Sequence, residues 1–203
     1  MTTVVQVVID EQNPWPGLGS FDEGAERFFN GRRNEIAELR RLVLNAPLTV
    51  LFGASGLGKT SLVQAGLFPL LRKAHYLPVY VRLDLRDRTA PLIDQVKTAL
   101  LAQIQARRID TRAMRDDESL WCYLHRAELE LWSEQNQLLT PLFVFDQFEE
   151  VFTLGAENAA AVGRLRIDLA DLIENRLPAG LAGSVESNEA AGGSAPPVPA
   201  RCD

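Results

Sequence analysis

The sequence predicts an α/β fold, a three-layer α/β/α arrangement in which helices cover both faces of a parallel sheet. Two observations support this class: apolar, β-prone runs alternate with stretches of helical periodicity, and the runs are apolar at consecutive positions. Strands have this composition when helices bury them on both faces. The three predicted strands lie at 48–52, 77–83 and 141–146.

Six helical segments are predicted around these strands, because apolar residues recur there every three or four positions. In the second segment, for example, Ile36, Leu39 and Val43 have this spacing. The first segment begins at Asp22, and the others cover roughly 33–44, 59–73, 90–108, 118–137 and 158–177.

Composition divides the chain into three parts. Residues 1–12 form a short strand or a loose end, and 13–177 form the folded domain. From 178 to 203, 17 of 26 residues are Ala, Gly, Pro or Ser, and large apolar residues no longer recur at regular spacing. Such a segment cannot bury enough apolar surface to fold, so we expect a disordered tail.

Charge and cysteine content exclude several classes of protein. The net charge of −6 gives no electrostatic drive for binding nucleic acid or an anionic membrane. No apolar run is long enough to span a bilayer, and the N-terminal run at 4–9 lacks the basic flank of a signal peptide. Cys122 and Cys202 provide neither a disulfide framework nor metal-ligand spacing. We therefore expect a cytoplasmic protein with no nucleic-acid or membrane partner.

The segment 53–60 is the most informative about function. It reads G-A-S-G-L-G-K-T, matches the phosphate-binding pattern G-x-x-x-x-G-K-[ST], and connects a predicted strand to a predicted helix. The glycines allow backbone N–H groups to turn toward phosphate oxygens, at the positive end of the following helix. In this pattern the lysine reaches the β- and γ-phosphates, and the threonine hydroxyl binds Mg²⁺. The predicted nucleotide-binding residues are Gly53, Ala54, Ser55, Gly56, Leu57, Gly58, Lys59, Thr60 and Ser61.

A nucleotide site also needs an acid at the end of a neighbouring strand, which holds Mg²⁺ directly or through water. The apolar strand at 141–146 ends in Asp146, at the edge of the sheet that faces the phosphate loop. We therefore assign Mg²⁺ to Thr60 and Asp146. Two further acids, Glu149 and Glu150, could orient or deprotonate the attacking water. Glu149 is the first choice as base and Glu150 the alternative, because spacing does not decide between them.

Four motifs in this order resemble those of the novel STAND NTPases, which are signal-transduction ATPases with numerous domains. They are N-P-W-P-G-L at 13–18, F-F-N-G-R-R-N-E-I at 28–36, the phosphate loop at 53–60, and V-F-D-Q-F-E-E-V-F at 144–152. The resemblance covers residues 13–175. It implies a P-loop NTPase fold that binds ATP and Mg²⁺, with Phe29 and Arg32 near the adenine and ribose, and a conformational switch controlled by ATP.

The sequence also departs from this family. Family members continue after the Asp146 strand with a fourth strand that bears a sensor arginine, a fifth strand, and helical and winged-helix subdomains. None of these is recognisable here, so we expect a sheet incomplete in its C-terminal half, as in a chain truncated after the Walker B region. In this class the fourth strand separates the strands at 48–52 and 141–146. Without it, either these two strands pair directly or their unpaired apolar edges invite self-association.

Three functions compete on these grounds. The first is an ATP-binding switch with slow or absent hydrolysis, whose partners are ATP and either further copies of itself or other signalling proteins. The second is a phosphotransferase or ATPase of another P-loop class, although the L-S-G-G-Q signature of ABC transporters and the N-K-x-D signature of GTPases are absent from the sequence. The third is a truncated remnant that binds no nucleotide. Substrate-dependent phosphate transfer separates the first two, and loss of cooperative folding favours the third.

Overall fold

The computed structural model describes residues 9–17, 19–87, 90–115, 118–126, 129–153 and 158–179. The predictions for residues 1–8 and for the tail from 180 onward lie outside these residues. Internal contacts divide the chain into two compact units, Met1–Pro78 and Val79–Asp203.

The regular elements of the first unit are helical up to the start of its strand. Its elements are a 3₁₀ helix at Glu23–Phe28, α1 at Arg33–Asn45, α2 at Lys59–Ser61, a π-helical turn at Leu62–Leu67 and α3 at Phe68–Lys73. The 3₁₀ helix begins where the Asp22 side chain accepts a hydrogen bond from the Ala25 N–H. The predicted helices at 33–44 and 59–73 are confirmed, and the segment predicted from Asp22 is a short 3₁₀ helix.

The second of these helical stretches has an unusual hydrogen-bonding pattern in its middle. In the π-helical turn the Phe68 N–H donates to the Val63 carbonyl, five residues earlier. Leu62, Ala65 and Leu67 are buried here. Their burial explains the stability of the turn, because packing compensates for its less favourable backbone geometry.

The prediction of a strand at 48–52 is wrong. These residues have no regular secondary structure, and their backbone groups make no hydrogen bond with any other described residue. Leu48, Val50 and Phe52 are 58%, 72% and 88% exposed. A strand requires a neighbour that accepts and donates its backbone hydrogen bonds. No described strand pairs with this segment, so its apolar composition does not produce a strand.

The strands β1 (Tyr76–Val81) and β2 (Thr140–Phe145) confirm the predictions at 77–83 and 141–146, and they form a two-stranded sheet. The Asp146 N–H donates to the Val81 carbonyl at 2.9 Å, so both strands end at the same edge and run parallel. This architecture belongs to the α/β class. The larger parallel sheet that the sequence predicts is not found among the described residues, which contribute these two strands.

The second unit also contains four helices among its described residues. They are α4 (Leu92–Ala106), α5 (Leu120–His125), α6 (Glu150–Thr153) and α7 (Ala159–Ile173). Leu92, Val96 and Leu100 recur every four residues on α4 and are buried, and α7 packs against this helix and buries Leu165. The predicted helices at 90–108 and 158–177 are therefore confirmed. Among the described residues, no helix combines the length and the apolar character that a bilayer crossing requires.

The predicted helix at 118–137 is wrong after His125. Trp132 instead exchanges backbone hydrogen bonds of 2.9 Å with Asp110, and it forms a second antiparallel bridge with Leu138. A buried ion pair between Arg126 and Glu118 lies at the point where α5 ends. These contacts with distant residues override the helical periodicity of the sequence, which records only local preference.

Candidate functional site

The phosphate loop at 53–60 adopts backbone angles that depend on glycine. Gly56 and Gly58 have φ values of 81° and 77°, in the left-handed region that residues with a side chain avoid. Gly58 is also the N-cap of α2, and its carbonyl accepts the first helical hydrogen bond, from Leu62, at 2.8 Å. The two glycines therefore form the turn that leads the exposed loop into a helix N-terminus.

Lys59 is hydrogen-bonded to the loop itself. Its Nζ donates to the carbonyl of Gly53 at 2.8 Å and to the carbonyl of Ala54 at 3.1 Å. Two hydrogen bonds to carbonyl oxygens therefore hold the side-chain ammonium at the start of the loop. A phosphate group competes for the same cation, because a charged acceptor forms a stronger hydrogen bond than a neutral carbonyl.

Arg32 is a second cation at the loop. Its Nη1 donates to the Leu57 carbonyl at 2.7 Å, and its Nε lies 3.4 Å from a carboxylate oxygen of Glu35. The guanidinium thus connects the residue before α1 with the last part of the loop. The resemblance implies a role for Arg32 near the adenine and ribose, whereas its contact in the structure is with the phosphate loop.

Phe29 belongs to an aromatic group with Phe21 and Trp15. The ring centroids of Phe29 and Phe21 are 5.6 Å apart, and those of Phe21 and Trp15 are 6.4 Å apart. Phe29 also packs near Gly66 of the π-helical turn. The Phe21 N–H donates to Ser61 Oγ at 3.0 Å, so the buried Ser61 hydroxyl connects this N-terminal motif to the helix after the loop.

The acid at the end of β2 is held by its neighbours. One carboxylate oxygen of Asp146, Oδ1, accepts from the Gln147 N–H at 3.0 Å, and the other, Oδ2, accepts a hydrogen bond from the Tyr80 hydroxyl. Gln147 has a φ of 53°, a left-handed conformation that turns the chain from the strand toward α6. The side chain and the backbone of Asp146 are therefore both anchored to β1.

The two glutamates after Asp146 have different surroundings. Glu150, the first residue of α6, lies 3.7 Å from the guanidinium of Arg82, and this ion pair is partly exposed. Glu149 is exposed, and its backbone carbonyl accepts from the Phe152 N–H. The ion pair of Glu150 therefore distinguishes the two glutamates, which sequence spacing alone does not.

The predicted residues are thus found in two groups, one in each unit. In the first unit Arg32, Lys59 and Ser61 contact the loop or its helix; in the second, Asp146, Glu149 and Glu150 follow one another at the end of β2. Sequence reasoning missed Tyr80. Its sequence signal is weak, since one tyrosine near the end of an apolar strand is usually a packing residue.

The chemistry of these groups fits Mg·ATP. Left-handed glycines, a helix N-terminus and the ammonium of Lys59 are suited to phosphate oxygens. The described residues contain no cluster of three or more His, Cys, Asp or Glu that could hold a metal. A Mg²⁺ ion that accompanies a nucleotide takes one or two protein oxygens and completes its shell with water and phosphate. The Thr60 hydroxyl and the Asp146 carboxylate are oxygens of this type.

Comparison with known proteins agrees with this chemistry. Neither a curated protein nor a solved structure matches the chain. A family model described as Novel STAND NTPase 1 matches residues 14–176, a range that includes the phosphate loop, Asp146 and both glutamates. Because this match covers most of the sequence and confirms the resemblance seen in the motifs, the chain belongs to the Novel STAND NTPase 1 family.

Proposed function

We propose that this protein is the ATP-binding module of a signalling switch, in which Mg·ATP occupancy changes the conformation and hydrolysis is slow or absent. The observation that carries the proposal is the pair of hydrogen bonds that the Lys59 ammonium donates to the carbonyls of Gly53 and Ala54. A phosphate that takes over this cation releases both carbonyls, so binding and a change in the loop are coupled.

The phosphate-binding residues of the proposal are those of 53–61. Backbone N–H groups of the loop donate to phosphate oxygens, and Lys59 binds the β- and γ-phosphates. We assign Mg²⁺ to Thr60 and Asp146; when bound, the ion neutralises charge on these phosphates. Phe29 and Arg32 form the side of the site that we assign to adenine and ribose, as the family resemblance implies.

Slow hydrolysis is part of the proposal. Efficient phosphoryl transfer requires a positioned water and a cation that stabilises the developing charge. Lys59 is assigned to the phosphates of the bound nucleotide, and Arg32, the other cation that contacts the loop in the described part of the chain, is hydrogen-bonded to the Leu57 carbonyl. We assign the orientation of water to Glu149, because the carboxylate of Glu150 faces Arg82.

The proposal extends to the organisation of the protein. The NTPase domain covers 13–177, its sheet belongs to a three-layer P-loop fold, and its partners besides ATP are further copies of itself or other signalling proteins. A reducing, cytoplasmic setting agrees with Cys122, a buried thiol outside any disulfide.

Thermal unfolding with and without Mg·ATP tests the proposal on the purified chain. Ligand at a hundred times its dissociation constant stabilises by about 2.7 kcal/mol, which raises the Tm of a protein of this size by about 5–10 °C. We expect this shift in the wild type and its loss in Lys59→Ala. The matched control is Lys73→Ala, which removes an exposed lysine of α3 and should keep the shift.

A cooperative transition with no shift in any variant would contradict ATP binding. The hydrolysis part has its own test, the release of inorganic phosphate under saturating Mg·ATP. We expect turnover far below the roughly 10 s⁻¹ of a typical enzyme. A rate in that range would overturn the slow switch and favour an ordinary ATPase. Phosphate transfer that requires a second substrate would instead favour a phosphotransferase.

A further inference from the structure

Tyr80 lies next to the acid that the proposed function assigns to Mg²⁺, although no motif includes it. It is the penultimate residue of β1, and its hydroxyl donates to Oδ2 of Asp146, 66 residues further along the chain. The Gln147 N–H donates to the opposite oxygen, Oδ1. The two oxygens of this carboxylate therefore have separate donors, one from each neighbouring segment.

The strand fixes the direction of the tyrosine. Side chains alternate along β1, so Tyr80 and Pro78 point to one face while Val79 and Val81 point to the other. Val79 and Val81 are buried, whereas Tyr80 is only partly covered. The backbone bond from the Asp146 N–H to the Val81 carbonyl places Asp146 beside the end of β1. The tyrosine hydroxyl reaches the carboxylate from a rigid strand, not from a loop.

We propose that Tyr80 is a positioning residue, whose hydroxyl orients the carboxylate of Asp146 toward Mg²⁺. The inference rests on the proposed function, because it assumes that Asp146 is a metal-side residue. A carboxylate that is held on both oxygens loses less rotational freedom when it engages an ion or the water bound to it. Partners that orient metal ligands in this way typically account for a 10- to 100-fold difference in metal affinity.

A purely structural role is the competing explanation, since the same hydrogen bond also joins β1 to the end of β2. The two roles differ in what they affect. A structural bond supports the fold and therefore changes nucleotide binding equally with and without Mg²⁺. A positioning bond changes the dependence on Mg²⁺ and leaves metal-free nucleotide binding unaltered.

The experiment measures binding of a fluorescent ATP analogue to Tyr80→Phe, once in EDTA and once across a Mg²⁺ titration. We expect the Mg²⁺ concentration at half-maximal effect to rise about tenfold, with the dissociation constant in EDTA unchanged. Tyr76→Phe is the matched control, because Tyr76 belongs to the same strand, and it should behave as the wild type. In an Asp146→Asn background, Tyr80→Phe should have no further effect.

Each other outcome overturns the inference in a distinguishable way. An unchanged or lowered Mg²⁺ midpoint in Tyr80→Phe contradicts positioning while the proposed function stands. Equal weakening in EDTA and in Mg²⁺, or loss of the cooperative unfolding transition, shows that Tyr80 is structural. If the wild type binds no analogue under either condition, then the proposed function itself fails, and the inference fails with it.

Discussion

Two cationic side chains are hydrogen-bonded to the phosphate loop. Lys59 and Arg32 both donate to carbonyl oxygens of the loop, at its first residues and at Leu57. These hydrogen bonds fix the positions of the carbonyls as long as no stronger acceptor competes for the cations. The two cations that the sequence predicts at a nucleotide site are therefore the ones that hold the loop in this structure.

Asp168 is the residue for which the structure predicts a pH effect. Burial raises the pKa of its carboxyl above the ordinary 3.8, and the negative charge of Asp171 acts in the same direction. Arg164, 3.3 Å away, and Lys97 partly offset this increase. The folded protein then binds this proton more tightly than the unfolded chain, so the group's contribution to stability falls as pH rises above 3.8.

We expect Asp168→Asn to remove this decline. The free energy of unfolding is measured by urea titration at several pH values. The value for Asp168→Asn minus that for the wild type should increase as pH rises from 4 toward 7. Glu134→Gln serves as the control, because it removes one exposed negative charge elsewhere in the same unit. If the difference between Asp168→Asn and the wild type does not depend on pH, or decreases with pH, then the assignment is wrong.

Residues whose role depends on local spacing could be predicted from the sequence, and residues whose role depends on a distant contact could not. Gly56 and Gly58 belong to a contiguous motif, and the motif itself predicts a turn that requires glycine. Tyr80 and Asp146 are joined by a contact across 66 residues, for which a single sequence has no signal. The bond from Arg32 to Leu57 spans 25 residues and was missed for the same reason.

At the scale of elements, α1 approaches the π-helical turn closely at Gly66. A Cβ placed on Gly66 would lie 2.8 Å from Cγ1 of Ile36 and 3.3 Å from Cε1 of Phe29. Gly66 therefore allows α1 and the N-terminal aromatic group to pack directly against the helix that follows the phosphate loop. The absence of a side chain at this position sets the distance between these elements.

Gly66→Ala should destabilise the protein by about 1–2 kcal/mol, because overpacking outweighs the gain in helix propensity. The matched control is Gly163→Ala in α7, where an added Cβ meets no atom within 4 Å. This variant should be more stable by about 0.5–1 kcal/mol, since alanine restricts the unfolded chain. Chemical denaturation measures both, and a change of the same sign in the two variants would contradict the packing argument.

The elements that were predicted correctly have signals that do not require a partner. The periodicity of 33–44 or 90–108 marks one face of a helix, and that face is buried wherever the helix packs. The segment 48–52 has the composition of a strand, but a strand exists only with a paired neighbour. The segment 118–137 has helical periodicity, and the pairing of Trp132 with Asp110 and Leu138 overrides it.

At the scale of the whole molecule, the segment 48–52 is an exposed apolar stretch of the described chain. Leu48, Val50 and Phe52 present their side chains to solvent, and the backbone of the segment makes no hydrogen bond with the other described residues. Unpaired backbone next to apolar side chains is a site at which another chain can add a strand. This segment is therefore where we expect the self-association that the sequence suggests.

We expect the protein to self-associate as its concentration rises, and Phe52→Lys to weaken this association at least tenfold. An aromatic side chain that is 88% exposed buries a large apolar area on pairing, which is worth roughly 2 kcal/mol or more. Sedimentation or light scattering measures the effect. The control is Ile167→Lys on α7, which also replaces an exposed apolar side chain with a positive charge, outside the segment. Equal effects of both substitutions would show that the segment is not the contact.

Strand pairing at the same segment would be coupled thermodynamically to the proposed ATP site. Phe52 precedes Gly53, whose carbonyl is one of the two that Lys59 holds. A strand that pairs with 48–52 would fix the start of the phosphate loop and remove part of the entropy that ATP binding must otherwise remove. Linkage is reciprocal, so ATP would favour strand pairing by the same factor by which pairing favours ATP.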